Sequence, residues 1–337
     1  MNILKNILIC ISAMLITVGC SKDENNALSE YVPHENERLT VYTSHKKDVW
    51  QPIIKEFEER YGIWVNVIEG GTSELLEKIS SGSVKADVMF GGGIESLEAF
   101  KDCFIPYKTK ENVFIRSAFV SKDNSWTPFS ALPIVISYNP KLVTFEEVKG
   151  WNDLLNPKFK GKIAFADPEI SGSSFTALMT FLEVSSYSDE DTIEAFAKNL
   201  DGRVKKKSGE VLSSVLDGEN YIGISIEEMA YKITADGKDL KIVYPDDGTG
   251  CVPDGTAIVK GCCHEENAKL FIDFTVSKEI QRLLTEKFYR RSVRLDIPVK
   301  EPLPSLNEIK LIDYDTEKIS KKREKVLSSW EFFLGKE

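Results

Sequence analysis

The order of predicted elements constrains this chain more than any single motif. From residue 39 onward, strand-like and helix-like patterns alternate. A short apolar strand at 39–42 leads into a helical pattern over 46–61, where Val49, Ile53, Phe57 and Tyr61 recur every four residues on one face. Strand 64–68, helix 74–80, strand 87–90 and helix 94–100 follow. Such a βαβαβ run with short connections builds a mostly parallel sheet with helices on its faces. The pattern then restarts with strand 162–166, helices 173–184, 191–199 and 211–216, strand 221–225, helix 227–235 and strand 240–244. Two apolar stretches, 131–138 and 256–259, separate from these runs, and the second follows the apparent turn Pro253-Asp254-Gly255. Both are expected to connect two lobes. Helices 265–274, 278–287 and 316–332 close the chain. The expected fold is α/β, with a first lobe from 38–133 plus 256–300 and a second from 134–255. Residues 301–337 are expected to form a helical segment packed on the second lobe.

The amino end speaks to location. Lys5, the apolar stretch 7–18 and Gly19-Cys20 read as a cleaved secretory signal over 1–20, too short to span a bilayer. A small residue directly before Cys20 resembles the lipobox of bacterial lipoproteins, with Thr17 standing where leucine is usual. The expectation is a lipid anchor on Cys20, a flexible polar tether over 21–37, and a periplasmic or cell-surface body. The 337 residues suffice for two cores, and a net charge of −10 repels nucleic acid and anionic headgroups, so neither is an expected partner. Cys103, Cys251, Cys262 and Cys263 lack zinc-site spacing and read as thiols, or as one disulfide. No metal and no cofactor are expected.

Candidate chemistry collects where strands end and helices begin. Strand 39–42 runs into Thr43-Ser44-His45, strand 64–68 into Gly70-Gly71-Thr72-Ser73, and strand 87–90 into Gly91-Gly92-Gly93. In the second run the same junctions hold Ser171-Gly172-Ser173-Ser174, Ser208-Gly209 and Ser225 ahead of Glu227-Glu228. Each helix start offers unpaired N–H groups and partial positive charge, so such junctions bind an anion without a basic side chain. Any one of them is equally an ordinary cap or turn; their recurrence in two lobes argues for a shared cleft. Catalysis has little support. Only three histidines occur, with no Gly-x-Ser-x-Gly elbow, nucleotide loop or dinucleotide fingerprint, so the chain is not expected to be an enzyme.

These residues carry a family resemblance. The segments Leu39-Thr40-Val41-Tyr42-Thr43-Ser44-His45, Glu59-Arg60-Tyr61-Gly62-Ile63 and Gly70-Gly71-Thr72-Ser73-Glu74-Leu75-Leu76 resemble the opening of type II periplasmic substrate-binding proteins, in the ferric-iron-binding-like branch. Lys160 to Pro168, Ser171 to Ser174, Ser208-Gly209, Ala268 to Phe274 and Arg290 to Arg294 resemble the same family. The resemblance implies the two-lobed periplasmic binding protein type II fold, closing on a solute and delivering it to an ABC-transporter permease. It also implies where iron ligands would stand. His45 fits the histidine position, but Glu227-Glu228 occupy the place of an adjacent tyrosine pair, and only glycine stands near Gly92 where a carboxylate belongs.

The phrases Asp87 to Gly93, Ala164 to Pro168 and Arg290 to Arg294 are more similar to the hexose-phosphate-binding branch. That implies a phosphorylated sugar such as glucose 6-phosphate as ligand, with ferric iron or another phosphate or phosphonate solute as the alternative. The candidate ligand residues are Ser44, His45, Gly71, Thr72, Gly92, Ser171, Gly172, Ser173, Ser174, Ser208, Ser225, Glu227 and Glu228. Arg290, Arg291 and Arg294 are either a phosphate clamp or ion-pairing residues. Tyr42, Trp64, Phe90 and Phe175 follow core spacing, and Trp126 is a candidate for the cleft. A monomer is expected.

Overall fold

The computed structural model describes residues 33–335, so the leader, Cys20 and most of the tether lie outside the described residues. The first group of elements is β1 (Arg38–Thr43), α1 (Lys47–Tyr61), β2 (Trp64–Glu69), α2 (Thr72–Ser80), β3 (Val88–Gly93), α3 (Ile94–Ala99) and β4 (Phe104–Ile105). α1 buries Val49, Ile53, Ile54 and Phe57, and it stops at Gly62, whose positive φ of 67° lets its N–H reach back to Glu58 O. β1 pairs in parallel with both β2 and β3, as a βαβαβ run requires.

The long strand β5 (Thr127–Tyr138) opens the second group. β6 (Ile163–Ala166), α4 (Gly172–Val184), α5 (Asp189–Leu200), β7 (Val204–Lys205), α6 (Ser208–Leu216), β8 (Ile222–Ile226), α7 (Glu227–Ala235) and β9 (Lys241–Val243) follow it. β10 (Cys251–Val259) returns the chain to the first group, where α8 (Glu265–Thr275), α9 (Lys278–Phe288) and β11 (Arg291–Ser292) pack. The helix α10 (Thr316–Leu334) ends the described chain. Strand order is β2-β1-β3-β10-β5-β8-β6-β7. The amino half of β5 pairs with β10 and its carboxyl half, from Ile134, pairs with β8, so one unbroken strand belongs to both sheets. This is where the lobes hinge.

Two findings depart from expectation. Pro253-Asp254-Gly255 is not a turn but lies inside β10, where the register shifts around Asp254 and Gly255 against both neighbouring strands. Pro, Asp and Gly mark bulges as readily as turns. Trp64 is 60% exposed rather than core, because β2 is an edge strand with one open face. Tyr42, Phe90 and Phe175 are buried.

α10 packs against α5 of the second group and α3 of the first. Trp330 is fully buried against Phe165 and Phe196, while Arg323 donates to Ser73 and Ser96 on α2 and α3. The helix is a strap over both lobes, whereas the sequence suggested contact with the second alone. No helix of the described residues is long and apolar enough to cross a membrane. All four described cysteines are free thiols. Trp330→Ala should cost about 3–5 kcal/mol of stability through the cavity it leaves, read as a lowered denaturation midpoint in urea.

Candidate functional site

A cavity of about 510 Å³ lies between the lobes. From the first lobe come Ser44 and His45 after β1, Gly71 and Thr72 at the start of α2, and Gly92 at the end of β3. From the second come Ser171, Gly172 and Ser173 at the start of α4, and Ser208 at the start of α6. Glu228, one residue into α7, completes the predicted residues that line it. Gly92 has a φ of 87°, and a Cβ there would meet Thr72 Cγ2 at 2.7 Å, so only glycine lets these segments close up. Closure brings the lobes into direct contact: a Cβ on Gly172 would lie 3.0 Å from Thr72 Oγ1.

The helix starts differ in what they leave free. α4 is capped by Ser171, whose Oγ accepts from Ser174 N–H at 3.3 Å. Neither Gly71 at α2 nor Lys207 at α6 caps its helix with a side chain. Those two starts open on the cavity without a side-chain cap from the preceding residue, and each carries one glutamate, Glu74 or Glu210, in its first turn.

A buried ion cluster forms the opposite wall. Arg290, at the amino end of β11, donates from Nε to Glu228 Oε2 at 2.7 Å and from an Nη to Asp254 Oδ2 at 2.6 Å. Ser130 donates its N–H and its Oγ to Asp254 Oδ1, each at 2.8 Å. Glu228 also receives Lys232 Nζ at 2.7 Å. Burial pushes the Asp254 carboxyl upward, and Arg290 opposes that shift. His45 stands beside the cluster, Nδ1 3.6 Å from Asp254 Oδ2, and edge-on to Phe90 at 4.4 Å. Burial, then the Arg290 charge, hold its pKa well below the usual histidine range, so the ring is neutral. Its Nε2 is buried with no hydrogen-bond partner.

Three predicted residues fall outside the lining. Ser174 is buried and donates its Oγ to the capping Ser171 at 3.1 Å. Ser225 alternates with Ile226 along β8, and since Ile226 lines the cavity, Ser225 points to the other face. Glu227 turns away from its neighbour by the roughly 100° that a helix imposes. It takes Arg291 Nε at 2.7 Å and Arg291 Nη2 at 2.8 Å, and accepts from the Tyr244 hydroxyl. Arg294 is tied to Glu111 and Asp296, away from the cavity. Trp126 is buried and donates to Glu98 instead of facing the cleft.

Sequence reasoning missed Lys46, Lys207, Glu69, Thr176, Met229 and Asp254, all of which line the cavity. Lys46 and Lys207 sit directly beside the predicted Ser44-His45 and Ser208, so their adjacency was the available signal. Lys46 reaches across the gap, its Nζ 3.8 Å from Met229 Sδ on the second lobe. Burial lowers its pKa. No group of three or more His, Cys, Asp or Glu among the described residues is arranged to hold a metal ion. A hard cation would have to displace Arg290, which bridges Glu228 and Asp254 and with Lys232 balances their charge.

Two α/β lobes sharing hinge strands and closing on a solute-sized cavity define a type II periplasmic binding protein. The chain belongs to the bacterial extracellular solute-binding protein family, whose sequence model matches residues 85–318. It is 28% identical to an uncharacterized protein of Haemophilus influenzae, over 87% of this chain and 89% of that one. It is 25% identical to iron uptake protein A1 of Synechocystis, over 89% and 87% respectively. Among solved structures it resembles the periplasmic binding protein AfuA of Actinobacillus pleuropneumoniae with fructose-6-phosphate bound. That match has a TM-score of 0.81 and 27% identity, covering 88% of this chain and 98% of the other. The family is one of binding proteins for transport, which fits a cavity walled by a locked ion cluster.

The structure separates Glu227 from the cavity, so its role is to hold Arg291. Glu227→Ala leaves that guanidinium buried without a partner and should cost about 3–5 kcal/mol, measured by thermal or urea denaturation.

Proposed function

We propose that this protein captures a phosphorylated sugar, such as glucose 6-phosphate, and delivers it to the permease of an ABC importer. One observation carries the reading. Lys46 from the first lobe and Lys207 from the second both line the cavity, and neither has a carboxylate within 4 Å among the described residues. They share the cavity with the uncapped starts of α2 and α6. Like charges gathered in a chain of net charge −10 call for an anion between them. Across the cavity, Glu228, Asp254 and His45 offer hydrogen-bonding groups suited to sugar hydroxyls. A volume near 510 Å³ falls in the range of small-molecule sites. The similarity to a protein crystallised with fructose-6-phosphate supports the same class of solute. Lipid attachment at Cys20 and a monomeric state belong to the same proposal. The iron reading draws on the Synechocystis relative and on His45 beside two carboxylates, but it must overcome Arg290.

Melting temperatures with glucose 6-phosphate, glucose, inorganic phosphate and Fe(III) in parallel decide between them. A solute at 100 times its Kd should add about 2.7 kcal/mol of stability, a shift of a few degrees. The expected result is a clear shift with the sugar phosphate, and a ten- to hundredfold weaker Kd in Lys46→Gln or Lys207→Gln, since charge-assisted hydrogen bonds contribute about 1.5–3 kcal/mol. A shift with Fe(III) alone overturns the reading. For the anchor, Cys20→Ala should move the protein from the membrane fraction to the soluble one; retention on the membrane would count against lipidation.

A further inference from the structure

Behind the cavity, where α3 of the first lobe meets α4 of the second, sits a carboxylic acid with no exposure to water. Glu95 is 0% exposed. Its Oε1 is hydrogen-bonded across the lobe boundary to Thr176 Oγ1, and Thr176 itself lines the cavity. The same Thr176 Oγ1 lies 3.1 Å from the carbonyl oxygen of Gly172. A hydroxyl carries one hydrogen. Thr176 donates it to Glu95 Oε1, so that side of the carboxyl is satisfied. The other carboxyl oxygen, Oε2, is buried with no partner, as is the Tyr314 hydroxyl. An ionised carboxylate with an orphaned oxygen in a dry interface is costly; a neutral acid is far less so.

We propose that Glu95 is an inter-lobe latch whose protonation favours closure of the lobes, so that solute capture takes up a proton and rising pH favours release. The inference rests on the reading of the cavity as a solute site closed by two lobes, and not on which solute fills it.

The surrounding charges agree. Arg323 on α10 is the cation that acts on Glu95, but it spends its hydrogen bonds on Ser73 and Ser96 and stacks on the Phe175 ring. Tyr314, just before α10, is held far above the usual tyrosine range by burial, with Glu95 and Glu183 adding to the shift. Glu77 on α2 acts on Arg323 rather than on Glu95. Burial outweighs the Thr176 bond, the bond from Glu95's own N–H and the Arg323 charge, and raises the Glu95 pKa to about 7. When the lobes part, α4 carries Thr176 away and water reaches the carboxyl, which returns to the ordinary glutamate range. The closed state therefore has the higher pKa. Its advantage is complete below the ordinary range and is lost as pH rises toward 7, with a ceiling of about 300-fold in the closure equilibrium.

The test compares wild type with Glu95→Gln, which keeps an acceptor for Thr176 but cannot ionise. Calorimetric titration with glucose 6-phosphate at pH 6, in buffers of different ionisation enthalpy, should show greater proton uptake in wild type. From pH 5 to pH 8 the wild-type Kd should weaken roughly 50- to 100-fold more than that of the variant. Titration of the sugar phosphate itself is common to both proteins and cancels. Equal proton uptake with parallel profiles overturns the latch and leaves the solute reading standing. If glucose 6-phosphate does not bind, the solute reading falls alone, and the latch is judged by X-ray scattering of the solute-free wild-type protein. Its lobes should separate further at pH 9 than at pH 5, and an unchanged scattering profile overturns the latch. That wild-type measurement also decides the matter if Glu95→Gln fails to fold.

Discussion

Arg290 holds three parts of the molecule in one place. Its guanidinium is buried where β11 begins, and it binds Glu228 at the head of α7 and Asp254 in the bulge of β10. One partner belongs to the second lobe, and the other to the strand that joins the lobes. Burying a cation and two carboxylates is costly, and the cost is offset only because nearly every polar atom in the group has a partner. Ser130 satisfies Asp254, and Lys232 satisfies the free oxygen of Glu228. The neighbouring pair Arg291 and Glu227 repeats the arrangement one residue along. Adjacent glutamates on a helix thus engage adjacent arginines at the start of β11, one pair facing the cavity and one facing away.

This ion cluster decides what the remaining cavity surface can do. Because Glu228 and Asp254 are already neutralised, they act as oriented hydrogen-bond acceptors and not as a cation trap. The cationic side chains without a carboxylate within 4 Å among the described residues, Lys46 and Lys207, line the cavity elsewhere, together with the starts of α2 and α6. The cavity is therefore polarised, with a cationic region set apart from a balanced one. Glu95 lies behind it, on the seam where α3 of the first lobe meets α4 of the second. Closure of the two lobes is written into both regions, since Lys46 approaches Met229 and Glu95 approaches Thr176 from opposite sides of the gap.

Local junctions were readable in the sequence because their chemistry is local. Ser44, His45, Thr72, Ser171, Gly172, Ser173 and Ser208 all follow strand ends, and in an open α/β sheet the loops after strands face one crevice. Other positions required information that spacing does not contain. Glu227 and Glu228 are indistinguishable as text, and only the phase of α7 against the hinge sends one to the cavity. Ser174 looks like Ser173, yet the cap geometry of α4 consumes it. Asp254 sits in a tripeptide that signals a turn, while its pairing with β3 and β5 makes it a bulge. Trp64 has the spacing of a core residue and is exposed because no strand of the described residues pairs beyond β2.

Alternation of apolar periods determined the α/β class and the order of elements, since burial of one face is a property of neighbouring residues in the chain. The same local rules placed glycine and serine at the helix starts. Which charges meet was decided only by the tertiary structure. Arg290 and Glu228 are 62 residues apart, and Thr176 and Glu95 are 81 apart. Their free energies depend on a shared low dielectric that exists only once the two lobes have come together.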